Sequence, residues 1–175
     1  MALIPLEDVI RILDLKPLVG EGGLWSQPYA SDETLAAGTL PGRDTDRPVC
    51  STIHFLLTPG TFSCMHRLVT DEIWYFHMGT SVELLLIYPD GSSTVPVLGH
   101  DLAAGERLQV TVPRGTWMGA RLKGEGEYGL MSTSMAPAYV ASDFEAGSFE
   151  DLLPLLTDPA QEPRLRHLTE EPRYE

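Results

Sequence analysis

Basic residues are scarce in this chain: twelve Lys and Arg stand against twenty-five Asp and Glu, for a net charge of −13. A surface of that sign repels phosphate backbones, so no nucleic-acid partner is expected. Acidity of this kind serves solubility, and a local basic pocket for a single anion stays open. Long apolar runs are missing as well. None approaches the roughly 18 residues of a membrane helix, so no membrane partner is expected either. The opening MALIPLEDVIRIL carries acids where a secretory leader needs positive charge, which makes the cytoplasm the expected location. Cysteine is limited to Cys50 and Cys64, in apolar, strand-like contexts. They read as buried thiols rather than as a disulfide or a metal pair. No G-x-S-x-G elbow is present, and the GEGEYG stretch at Gly124 is acidic with no helix after it. Neither a serine hydrolase nor a phosphate loop is indicated.

What is present fits one domain across residues 1–175. Leu6, Val9, Ile10 and Leu13 form the stripe of a short amphipathic helix. After an EGG turn at Glu21, Leu24 to Tyr29 reads as a strand, and residues 31–48 read as a polar loop long enough to serve as a lid. From Val49 to Ser134 the chain alternates short β-rich runs with turn residues such as Thr58-Pro59-Gly60 and Pro89-Asp90-Gly91. Evenly spaced strands of this kind predict an all-β sandwich or barrel, with its core at about 18–145. Residues 146–175 read as a strap: Ser148 caps a short helical segment at Phe149 to Leu156, and the polar, Pro-rich remainder is a strap or frayed tail.

The densest constellation is GTFSCMHRLVTDEIWYFHMG, Gly60 to Gly79. It resembles the first cupin motif, G-x5-H-x-H-x3/4-E-x6-G, through Gly60, His66, Glu72 and Gly79, with Leu68 where the second histidine would stand. Pro113-Arg114-Gly115 resembles the second motif, P-x-G-x2-H, but reaches Met118 instead of histidine. Together with EGGLW, STIHFLL and SMAPAYVASDFEAG, these segments resemble the small single-domain cupins of uncharacterised function, similar in fold to dTDP-4-dehydrorhamnose 3,5-epimerase. The resemblance implies a jelly-roll β-barrel with a pocket inside it, assembled as a homodimer. It also implies that Ser26-Gln27 replaces a charged pair at the pocket edge. Cupin metal sites use three imidazoles and one carboxylate, so the chain is expected to hold no metal and no other cofactor.

Residues two apart on a strand share a face, so a hairpin returns Glu72 opposite His66. An imidazole beside a carboxylate is held in one tautomer and made more basic, which prepares a general base. The plain alternative is a buried structural His–Glu pair. Tyr75 or Tyr128 would be the acid. His54, Tyr75 and His77 are expected to point inward from neighbouring strands, Gln109 to take a polar interior position, and Glu21 to sit at the rim beside Gly22 and Gly23. Arg67 is a candidate anion contact, and Trp117 either core bulk or a stacking wall. Two functions follow: a metal-independent isomerase or epimerase acting on a sugar-like or nucleotide-linked substrate, or a non-catalytic module that binds a small ligand in the same pocket.

Overall fold

The structure, a computed structural model, describes residues 3–171. The N-terminal stripe forms helix α1 (Leu6–Ile12), with Glu7 and Asp8 in its first turn and Arg11 in its last, as the helix dipole favours. Strands follow in order: β1 (Lys16–Pro17), β2 (Leu24–Ala30), β3 (Thr34–Leu35), β4 (Arg47–Pro48), β5 (Ser51–Leu57), β6 (Ser63–Leu68) and β7 (Glu72–Gly79). After these come β8 (Val82–Ile87), β9 (Ser93–Thr94), β10 (Val97–Leu98), β11 (Gln109–Val112), β12 (Trp117–Leu122), β13 (Gly129–Met135) and β14 (Phe144–Ala146). Helices α2 (Phe149–Leu152) and α3 (Glu162–Leu168) complete the described chain.

Two antiparallel sheets face each other. One runs β1-β2-β5-β13-β7-β11, and the other β10-β8-β12-β6-β14 with β9 also on β8. Phe55, Trp74, Phe76, Leu84, Met118 and Met131 fill the space between them. This is the expected all-β jelly roll, but it is not the expected closed barrel. Among the described residues the sheets do not merge, because the edge strands β1, β10, β11 and β14 are only two to four residues long. Ladders that short cannot carry hydrogen bonding around a full circumference.

Alternation along each strand decides what the interior receives. On β7, Glu72, Trp74 and Phe76 are buried toward the core, while Ile73, Tyr75 and His77 emerge on the other side. Strand β8 is buried at every position. Leu84 and Leu86 face the first sheet, and Leu85 and Ile87 face Leu152, Leu165 and Leu168. Through Leu168 the C-terminal segment is thus a strap: α3 packs on the outer face of the second sheet. Pro163 does not oppose it, because proline is tolerated in a helix's first turn. Residues 31–48 are likewise not a free lid. They fold into the β3–β4 hairpin, and Arg47 reaches Asp143 in a buried ion pair of 2.7 Å.

Candidate functional site

Between the sheets lies a cavity of about 360 Å³ that holds His66, Glu72 and Glu21 in one wall system. Strand β6 contributes His66 and Leu68, β7 contributes Glu72, β13 contributes Thr133, and the turn before β2 contributes Glu21. Leu18, Trp25, Ile53, Met135 and Phe144 supply apolar walls; Gln27 and Tyr139 supply polar groups. The turn is fixed by its glycines. Gly22 and Gly23 have positive φ values of 106° and 71°, and a Cβ on Gly23 would sit 2.9 Å from the Phe55 ring. The Glu21 carbonyl accepts from the Cys64 amide at 2.8 Å, and its carboxylate accepts from the Ser63 hydroxyl at 2.8 Å, so the rim is stitched to β6.

His66 is buried, and its ring stacks on Phe144 with centroids 5.0 Å apart. Its Nδ1 lies 2.8 Å from the Cys64 carbonyl. A carbonyl can only accept, so Nδ1 carries the proton, and Nε2 is left without a protein partner among the described residues. Glu72 was expected to orient this ring; the backbone of β6 does so instead. Glu72 is held elsewhere, accepting from the Trp74 indole N–H at 2.7 Å and from Thr133. Burial pushes the Glu72 carboxyl from its ordinary 4.5 up to about 7, against the opposing pull of His66, and the Glu21 charge adds to the rise. His66 and Glu72 therefore share a cavity and interact through charge.

Several expected site residues lie elsewhere. Tyr75, His54 and His77 occupy the outer face of the first sheet, opposite the cavity, because they have the wrong parity to accompany Glu72, Phe55 and Leu57. There the Ser132 hydroxyl sits 2.6 Å from His77 Nε2 and 3.2 Å from His54 Nδ1, and Tyr75 meets Ser134 at 3.3 Å. Burial and the neighbouring His54 lower the pKa of His77. Gln109 pairs with Tyr75 across the ladder and is exposed, since Val110 and Val112 take the core side. Arg67 and Trp117 share the outer face of the second sheet, where the guanidinium lies 4.6 Å above the indole ring and pairs with Glu145 at 2.6 and 2.9 Å. Tyr128 is enclosed beside α1 and donates to the Ile4 carbonyl at 2.8 Å. Glu21 does stand in the cavity wall, as expected for the rim.

Sequence reasoning missed Trp25, Thr133 and Tyr139 as wall residues. The pocket edge expected at Ser26-Gln27 was a usable signal, since Gln27 lines the cavity. The cupin pattern's two further imidazole positions are occupied by Leu68, in the cavity wall, and by Met118, which lies opposite His66 in the β6–β12 ladder. Among the described residues no three His, Cys, Asp or Glu side chains gather as a metal site. The donor set does not fit a cupin metal.

Two facing antiparallel sheets with a polar cluster enclosed between them define a cupin. The chain belongs to the family described as Cupin superfamily (DUF985), whose model matches residues 7–147. A solved protein from Shewanella oneidensis is 36% identical, aligned over 96% of this chain and 99% of its own, with a TM-score of 0.81. A hypothetical protein from Leishmania major is 28% identical over 98% of this chain and 100% of its own, with a TM-score of 0.80. Oxalate decarboxylase from Bacillus subtilis, 14% identical over 90% of this chain and 38% of its own, has a TM-score of 0.53 and shares the fold alone. No curated protein matches the chain. No described helix is long and apolar enough to cross a membrane.

Proposed function

We propose that the cavity is a proton-transfer site for a small, uncharged or cationic polar molecule, and that the protein is an isomerase or epimerase acting beside a carbonyl. One observation carries this reading: His66 is locked in the tautomer that leaves Nε2 free, in the same cavity as a carboxyl whose pKa is about 7. A base and a second proton-exchanging group near neutral pH are what such a reaction requires. Nε2 takes a proton from the carbon, the electron pair moves to the carbonyl oxygen, and the proton returns to carbon. Among the described residues the cavity wall contains Glu21 and Glu72 and no Lys or Arg, so it repels phosphate. This favours a sugar-like molecule over a nucleotide-linked one, with an apolar flank against Trp25.

A thermal-shift screen with uncharged sugars, amines, keto acids and sugar nucleotides tests the reading. An uncharged or cationic compound should raise the melting temperature, and His66→Ala should abolish that rise while keeping the fold. Stabilisation by anionic compounds alone, or equal stabilisation of the His66→Ala protein, would refute it. A ligand bound without chemical change would assign the cavity to binding, which the apolar Leu18, Ile53 and Met135 walls also suit. The same reading includes a homodimer in the cytoplasm, since short edge strands such as β11 leave ladder groups for a second copy to cover. Sedimentation equilibrium at twice the chain mass is the expected result.

A further inference from the structure

Positive charge is rare in this chain, yet three guanidinium groups meet in one cleft. Arg43, Arg67 and Arg114 line an open cleft of about 390 Å³ at the end of β6, together with Asp143 and Glu145. Both carboxylates are already committed. Asp143 is buried against Arg47 at 2.7 Å, with both side chains under 5% exposed. Glu145 pairs with the Arg67 fork, which Trp117 supports from below. Among the described residues neither Arg43 nor Arg114 has an ion-pair partner. Arg43 donates only to neutral acceptors, the Val69 carbonyl, the Thr70 hydroxyl and weakly the Gly42 carbonyl, and its Nε is buried with no partner. Only the backbone N–H of Arg114 is held, donating to Asp71 at 2.8 Å; among the described residues its side chain has no hydrogen-bond or ion-pair partner.

Two guanidinium groups lining one cleft without ion-pair partners repel each other. Arg43 is also held in place by its hydrogen bonds, while Arg114 is anchored through its backbone and presents an exposed side chain to the cleft. A chain of net charge −13 has no general excess of positive charge to explain them. We propose that this cleft binds the phosphate or pyrophosphate group of a small molecule, at a site separate from the cavity between the sheets. Planar guanidinium forks present paired donors to the oxygens of a tetrahedral anion. A tetrahedral phosphate offers oxygens to more than one guanidinium fork at once, whereas a planar carboxylate is matched by a single fork, as Glu145 is by Arg67. Arg67 would join as a third donor when the anion competes with Glu145.

Isothermal titration of the full chain with pyrophosphate at low ionic strength tests the proposal, with inorganic phosphate as a second probe. Binding should weaken steeply with added salt. Arg114→Gln, an exposed change, should lower the affinity about fivefold. Glu145→Gln should raise it about threefold, because the Arg67 fork is released from its carboxylate. Arg11→Gln, on the exposed face of α1, should change nothing. Arg43→Gln should abolish binding; because that change also disturbs the loop it anchors, the gain with Glu145→Gln is the outcome that needs no loss of fold. Absence of pyrophosphate binding at roughly 10 mM, a range that would register even very weak affinity, would overturn the site. So would equal affinity in the native, Arg114→Gln, Glu145→Gln and Arg11→Gln proteins.

Discussion

Replacing Glu72 by Gln should make the protein more stable above neutral pH and leave it little changed in acid. The carboxyl is buried in the folded chain and titrates near 7, against 4.5 for an ordinary glutamic acid. The folded state therefore favours the protonated form. Its contribution is fully present below about pH 4.5 and is lost as pH rises through about 7. At about 1.4 kcal/mol for each pH unit between those values, the loss comes to about 3 kcal/mol, an order-of-magnitude figure. Glutamine is neutral throughout, and its amide oxygen can still accept the Trp74 indole N–H that Glu72 accepts at 2.7 Å. Urea unfolding of both proteins at a series of pH values supplies the test. Their difference should be small near pH 4 and grow to about 3 kcal/mol in favour of the variant by about pH 8. Because His66 holds the carboxyl's pKa down, His66→Ala should move the Glu72 transition to higher pH. Parallel stability curves for native and Glu72→Gln proteins would refute the reasoning, because they would mean that Glu72 titrates alike folded and unfolded.

Other consequences follow from the packing. Arg47→Ala should cost about 3–5 kcal/mol in urea unfolding, because it strands the buried Asp143 carboxylate, and Asp143→Asn in that background should return part of the loss. Leu168→Ala should cost about 2–5 kcal/mol, since Leu168 is 1% exposed where α3 meets the second sheet. Leu68→His combined with Met118→His should create divalent-metal binding, read as a nickel-dependent rise in melting temperature that the native chain does not show. Burial and the Glu21 charge push the Cys64 thiol up to about 12, so iodoacetamide at about pH 8 should modify Cys64 only after unfolding.

That His66 and Glu72 face one cavity was legible because a motif spacing and a strand period agreed on it, but the direct pairing expected of them was not found. Once Glu72 is placed inward, however, the same period sends Tyr75 and His77 outward, and that implication overrode their chemistry. Gln109 fails for the same reason beside the inward Val110 and Val112. His54 is harder to place, because HFLL is apolar on both faces: Phe55 and Leu57 meet the core while Leu56 meets α1. Helix α3 was legible in Leu165 and Leu168, three residues apart, but the proline content of the tail concealed it. Thr133 and Tyr139 had no local signal. They reach the cavity only because β13 pairs with β7 and the 136–143 turn folds over the mouth, and both are long-range events.

That the Cys64 carbonyl, and not Glu72, orients His66 changes what the carboxyl is for. In a linked triad the acid fixes the ring, and losing it misplaces the base. Here the tautomer is set by the strand's own backbone two residues away, which no side-chain substitution at position 72 removes. Glu72 is free to act through charge alone. Its own protonation sets the charge of the cavity wall near neutral pH. Burial raises the Glu72 carboxyl, His66 pulls it back down, and Glu21 adds negative charge from the rim. The cavity thus holds its base through the backbone and leaves the carboxyl to set the local charge. The arginine cleft shows the opposite arrangement, guanidinium groups gathered in an open site. Leu68 lines both spaces, so the acidic wall that repels phosphate and the arginine cleft proposed to bind it are separated by one apolar side chain.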